Sequence, residues 1–232
     1  MAELRTRLPV SVGSILRTAA AMLGSNRAAV LAYLAAFVPL SAIGNWLDGA
    51  TGPADGVLGV IFDNQTAGLL LMLPSILAQY FLFARMLGRR ASGGGTIGLR
   101  MAGFLGLAIV SFLGVSLATM LLIFPGIFLG ARWLMAPAFF VDRGTGVFAA
   151  LGESWRATRG HTGKLAVVLL LAMLALVIVS ALPAPALFTH AILTALADAV
   201  VSNCFAMSLV ALAAATYTLI VAPGRELAET FA

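Results

Sequence analysis

One charged side chain stands alone in a long apolar stretch. Between positions 101 and 141 the only ionisable residue is Arg132. A guanidinium inside hydrocarbon is costly, and such a residue is a functional-site hypothesis by default. Three chemistries are open to it: binding a lipid phosphate, lining a polar cavity, or capping carbonyls freed by a helix break at Pro125. The alternative is structural pairing inside a bundle, with Asn45, Asn203 or a backbone carbonyl as partner.

Other reactive residue types are sparse. His161 stands beside Arg159 and Lys164 and reads as a solvated residue. His190 precedes Asp198, but no nucleophile or metal ligand lies at a useful spacing. Cys204 is the single cysteine. It has no partner for an intrachain disulfide or a cysteine metal cluster, and reads as an inert small apolar residue. Gly152-x-Ser154 lacks the third glycine of a serine-hydrolase elbow. The run Gly93-Gly94-Gly95 lacks the Gly-Lys-Ser/Thr ending of a phosphate loop. No catalytic, metal-binding or cofactor-binding residue is assigned. The expectation is a non-enzyme that needs no cofactor.

The elements that position Arg132 follow from composition. Hydrophobic residues make up 61% of the 232 residues and charged residues 10%, with mean hydropathy +1.04. Soluble domains carry roughly 25% charged residues. A soluble enzyme, a disordered chain and a disulfide scaffold are excluded, and a polytopic membrane protein remains. A spanning helix needs about 20 apolar residues, and five uncharged runs approach or exceed that length. The third is too long for one crossing, and Pro125-Gly126 is a strong interrupter. Splitting there predicts six spans, at 28–47, 67–87, 101–124, 126–141, 165–182 and 199–222. The runs are continuously apolar rather than alternating, so the class is all-α and not a barrel. Pro125 and Gly126 should form the helix break, a tight turn or kink near the outer face. The span 126–141 rises about 24 Å, which puts Arg132 near its middle. Small residues such as Gly103-x-x-Gly106 and 211–215 should let helices approach closely. Pro39, Pro74 and Pro137 also fall inside spans.

Several short segments complete the plan. In 11–23 the apolar set Val12, Ile15, Leu16, Ala19, Met22 and Leu23 makes one helix face, and Ser11 is a suitable N-cap. In 146–159 the apolar set is Phe148, Leu151 and Trp155, with Arg156 and Arg159 toward the polar side. Both read as amphipathic helices in the membrane surface, with Trp155, Arg156 and Arg159 as the interfacial anchor. Packing on the ends of the bundle is the alternative. Pro183 and Pro185 should leave a short outer-surface helix over 186–197, and 57–62 should do the same in the first loop.

Charge fixes the orientation. With six spans, thirteen of the fourteen Lys and Arg residues fall on one side, and Arg132 is the exception. The opposite loops hold Asp48, Asp55, Asp63 and Asp198 and no base. Cytoplasmic loops collect Lys and Arg, so both termini are expected in the cytoplasm. Residues 1–27 contain no apolar core ahead of a small-residue cleavage site, so no cleavable signal peptide is expected. The longest cytoplasmic link, 142–164, is too short for a soluble domain. Thirteen Arg stand against one Lys, with much Ala and Gly. That balance suggests a GC-rich bacterial genome, hence the cytoplasmic (inner) membrane. The basic side implies contact with anionic phospholipid; nucleic acid is not expected.

Certain residues carry a resemblance. They are Leu122-Ile123-Phe124-Pro125-Gly126-Ile127-Phe128-Leu129, Ala131-Arg132-Trp133, Ala136-Pro137, Val141-Asp142, Ala150-Leu151-Gly152-Glu153-Ser154-Trp155 and Thr158-Arg159-Gly160, with the opening Ser11-Val12-Gly13-Ser14-Ile15-Leu16. Together they resemble the bacterial YciC-like group, which is similar to the membrane domain attached to some glycerophosphoryl diester phosphodiesterases. The resemblance implies a six-helix integral membrane protein of largely unassigned role. The catalytic residues of the fused forms belong to a barrel that this chain lacks, so no phosphodiesterase activity is implied.

Three functions are weighed. The first is a non-enzymatic accessory or scaffold supporting a membrane complex or envelope integrity, alone or as a homo-oligomer. The second is lipid handling, in which Arg132 binds or helps translocate a phospholipid. An ion-coupled transporter is third, because every Asp and Glu lies at or beyond a span end, away from the midplane where such proteins hold ionisable residues.

Overall fold

The helical periodicity and the Ser11 cap read from the sequence recur in the structure, a computed structural model that describes residues 10–50, 65–88, 96–181 and 191–221. Among these residues every regular element is a helix: α1 (Val12–Ser25), α2 (Arg27–Ala50), α3 (Gln65–Met86), α4 (Ile97–Leu121), α5 (Ile123–Trp133), α6 (Ala136–Arg143), α7 (Val147–Ala157), α8 (Thr162–Ala181) and α9 (Ala191–Ile220). Among the described residues five stretches are long and apolar enough to cross a membrane: Arg27–Trp46, Ile97–Leu121, Phe124–Arg143, Thr162–Ser180 and Ala191–Ile220. The expected surface stretch 57–62, the glycine link 93–95, the breaks at Pro183 and Pro185, and His190 lie outside the described residues.

Helix α1 starts at a reciprocal cap. The Ser14 backbone N–H donates to Ser11 Oγ at 3.1 Å, and the Ser11 N–H donates to Ser14 Oγ at 2.9 Å. Two donors that would lack intrahelical partners are thereby satisfied. The apolar stripe is spent on the bundle: Ile15 is 0% exposed and Ala19 is buried, and α1 packs on α9, α8 and α2. Lys164 Nζ ties the start of α1 to the start of α8 through the Val10 carbonyl, at 2.8 Å. Ser11→Ala is expected to cost about 1 kcal/mol, read as a lower denaturation midpoint of the detergent-solubilised protein. An unchanged midpoint would remove the cap from the argument.

Helix α9 is the hub. It touches α1, α2, α3, α6 and α8, and residues 210–217 are buried all round. The alanines at 211 and 213–215 present no bulk, so neighbours close on every side, as expected of a helix apolar around its circumference. A polar link fixes α9 against α2: Asn203 Nδ2 donates to Ser41 Oγ at 3.0 Å and to the Ala199 carbonyl at 2.8 Å. By contrast α4 and α8 expose long apolar side chains, such as Leu117, Met120, Leu170 and Val177.

Two expectations about helix ends are corrected. The outer helix expected over 186–197 is not a separate piece in its described part. Residues 191–220 form one 30-residue helix that continues through Asp198, because neither Gly nor Pro interrupts it. It rises about 45 Å, the full thickness of a bilayer with its headgroups. The break expected at Pro125-Gly126 lies instead at Leu122, whose φ of −161° and ψ of 140° are extended. Pro125 then falls in the first turn of α5, where its missing N–H has no intrahelical partner to lose. The expected span 126–141 is itself interrupted at Leu134-Met135, between α5 and α6. Pro137 is the cause, since it cannot donate to the Trp133 carbonyl. Pro39 and Pro74, in contrast, are carried inside continuous helices.

The α4–α5 hairpin closes very tightly. A Cβ at position 126 would lie 2.0 Å from Thr119 Oγ1 and 2.8 Å from Thr119 Cα. Further along, a Cβ at 114 would lie 2.4 Å from the Trp133 ring. Only glycine permits these approaches. The expected small-residue packing at Gly103 is realised too, with the Phe140 ring against it.

Candidate functional site

Arg132 ends α5 and meets the end of α7. Its Nη1 donates to the Trp155 carbonyl at 3.1 Å. In the reverse direction Ser154 Oγ donates to the Arg132 carbonyl at 2.7 Å. The reason is local. Helix α7 stops at Ala157 and α5 stops at Trp133, and the last carbonyls of a helix lack intrahelical donors. Each helix end therefore caps the other. The Thr158 hydroxyl, fully buried, lies 3.1 Å from the same Trp155 carbonyl and 2.9 Å from that of Ser154.

The guanidinium is also stacked. Its carbon lies 4.8 Å from the Trp155 ring centroid and 5.1 Å from that of Phe128. The two rings meet edge to face, 6.0 Å apart. Cation–π contacts away from water are worth about 2 kcal/mol at the upper end. Of the alternatives opened by the sequence, pairing with a backbone carbonyl is the geometry found. Asn203 is occupied by Ser41, and Asn45 reaches toward the Ala195 carbonyl at 3.5 Å. The Nε of Arg132 is buried without a hydrogen-bond partner among the described residues.

The proposed anchor residues divide. Trp155 is half-buried and turned onto Arg132, whereas Arg156 and Arg159 are exposed. His161, expected to be solvated, is half-buried, and its shielded Nδ1 has no hydrogen-bond partner among the described residues. Beside Ser154 on α7, Glu153 pairs with Arg143 at 2.8 Å, and Arg143 lies over the Phe139 ring. The Tyr217 hydroxyl donates to Asp142, joining α9 to α6. The C-terminal end of α6 is thus tied to both α7 and α9.

A cavity lies above this lock, and no sequence pattern announced it. It is a half-open cavity of about 340 Å³, walled by α3, α4, α5, α6, α8 and α9. Trp133, Leu134 and Pro137 line it on the chain segment that follows Arg132, and Leu169, Met173, Leu209 and Val210 line it from α8 and α9. Its polar lining is limited to Gln79, Ser111 and Thr119. Thr119 Oγ1 donates to the Val115 carbonyl at 2.8 Å. Ser111 Oγ is buried with no hydrogen-bond partner among the described residues. Arg132 is not among the residues of the cavity wall; its immediate neighbours Ala131 and Trp133 are respectively buried in the core and part of that wall. No group of three or more His, Cys, Asp or Glu that could hold a metal ion occurs among the described residues.

No family model matches the chain, and neither a curated protein nor a solved structure matches it.

Proposed function

We propose that this chain is a non-enzymatic, six-span protein of a bacterial cytoplasmic membrane that accommodates a lipid chain inside its bundle. The observation that carries this reading is the cavity of about 340 Å³. That volume falls in the range of small-molecule sites, roughly 300–1,000 Å³. Its wall is hydrocarbon apart from three uncharged polar side chains. An aliphatic chain suits such a wall, and the unpaired Ser111 hydroxyl offers a donor to one oxygen of the guest. On this reading Arg132 is a positioning residue that holds α7 against α5, one wall of the cavity, and not a phosphate ligand.

Supporting features complete the membrane placement. Helix α3 supplies the sixth span, since its 22 residues rise about 33 Å. The alternating helices then gather the bases Arg27, Arg85, Arg100, Arg143 and Lys164 at one end, which the positive-inside rule assigns to the cytoplasm together with both termini. Helices α1 and α7 lie at that surface, with Arg156 and Arg159 toward the headgroups. The residues of 122–160 that resemble the YciC-like group support the same plan.

A second reading, an accessory to a membrane complex, rests on Phe148 and Leu99, which are 79% and 72% exposed at the basic end. Native mass spectrometry from a mild detergent separates the two. The expected result is a one-to-one lipid adduct that Ala213→Phe, which fills the cavity, removes. No adduct, or an adduct indifferent to Ala213→Phe, would overturn the lipid reading. A bound protein of defined mass in its place would establish the accessory reading.

A further inference from the structure

A second hollow, of about 530 Å³, lies between α2 and α3 on the opposite side of the α3 wall. Ala29, Ala32 and Ala36 of α2 line it, with Ala78 of α3 across from them. Along α2 it runs from Ala29 to Phe37, about 12 Å. Its one charged lining residue is Arg85, in the last turn of α3. Arg85 is exposed, and among the described residues it has no ion-pair partner; the pair found at this end of the bundle is Arg143 with Glu153. Helix α2 begins at Arg27, so the antiparallel pair places a second base at the same end. Adjacent residues of α3 face different volumes: Gln79 faces the cavity, and Ala78 faces this hollow.

We propose that this hollow binds one anionic glycerophospholipid of the leaflet at the basic end, with an acyl chain along the alanines and the phosphate on Arg85. Charge complementarity selects the occupant. An apolar trough that ends at an open guanidinium matches an amphiphile with an anionic head. The planar fork of Arg also fits phosphate oxygens in bidentate fashion. A second copy of this chain fits worse. A symmetric dimer would present the same patch twice, bringing Arg85 and Arg27 toward their own copies with no anion between. The site is separate from the cavity and requires only that α2 and α3 cross the membrane.

The test uses the full chain in phosphatidylcholine nanodiscs doped with phosphatidylglycerol, with retained lipid read by native mass spectrometry. One phosphatidylglycerol should be kept in preference to phosphatidylcholine. Arg85→Gln should lower its retention about fivefold, the equivalent of the contribution of one basic residue near an anionic surface. Ala32→Leu should narrow the trough and lower retention of both lipids. If Ala32→Leu does not fold, Arg85→Gln decides alone, since Arg85 lies outside the core. Ala213→Phe, in the separate cavity, should leave phosphatidylglycerol retention unchanged. Equal retention of the two lipids, retention unchanged by Arg85→Gln, or a dimer that excludes the lipid would each overturn the proposal.

Discussion

Gly126→Ala is expected to lower the thermal midpoint of the purified protein by several degrees. The added methyl would stand 2.0 Å from Thr119 Oγ1 and 2.8 Å from Thr119 Cα. The hydroxyl is held by the Val115 carbonyl, and the Cα moves only if α4 moves. The two helices must therefore part near their turn. Overpacking of this kind costs about 1–3 kcal/mol. In a chain of this size each kcal/mol shifts the midpoint by about 2–4 °C. Thr119→Ala added to Gly126→Ala should restore only part of the loss, because the backbone contact remains. A Gly126→Ala protein that melts with the wild type would show that the hairpin is looser than described.

The second large effect belongs to Arg132. Arg132→Met keeps an aliphatic stem but removes the donor to the Trp155 carbonyl and the cation against Phe128 and Trp155. A charged hydrogen bond contributes about 1.5–3 kcal/mol, and the stacking adds to it, so a loss of at least about 2 kcal/mol is expected. Arg132→Lys should recover only a fraction, since an ammonium has no planar face to set against the rings. Hydrogen exchange should localise the effect, with amides of 150–158 losing protection while those near Ser41 and Asn203 keep theirs. Ser154→Ala should loosen the same segment. Combined with Arg132→Met it should cost less than the sum of the two, because each half of the lock loses its geometry with the other. Strict additivity would show that the two caps act independently.

Much of this architecture could be read from side-chain pattern. The stripe of Ile15 and Ala19, the cap at Ser11 and the long apolar runs all have local causes written in neighbouring letters. The position of the α4–α5 turn is harder, because proline constrains the residues before it as much as its own. Leu122 carries no turn signal, yet it is the residue that leaves the helix. The partner of Arg132 was out of reach for a different reason. It is a carbonyl, which every residue has, and it becomes available only because α7 stops where it does. The cavity has no letters at all. It is a volume left over where six helices meet, and only Gly126, Gly130 and Ala213 hint at the spacing.

The central place of α9 has a consequence for how the protein is made. Ser41 leaves the ribosome 162 residues before Asn203, its partner. At translation rates of about 5–20 residues per second, Ser41 waits on the order of 8–32 s for that bond. Helices α1, α2 and α3 spend the interval without the surface they finally close on. The nascent chain therefore cannot complete its bundle hairpin by hairpin in the order of synthesis. The early helices must be kept apart, or shielded by the insertion machinery, until the last of the packing surface arrives.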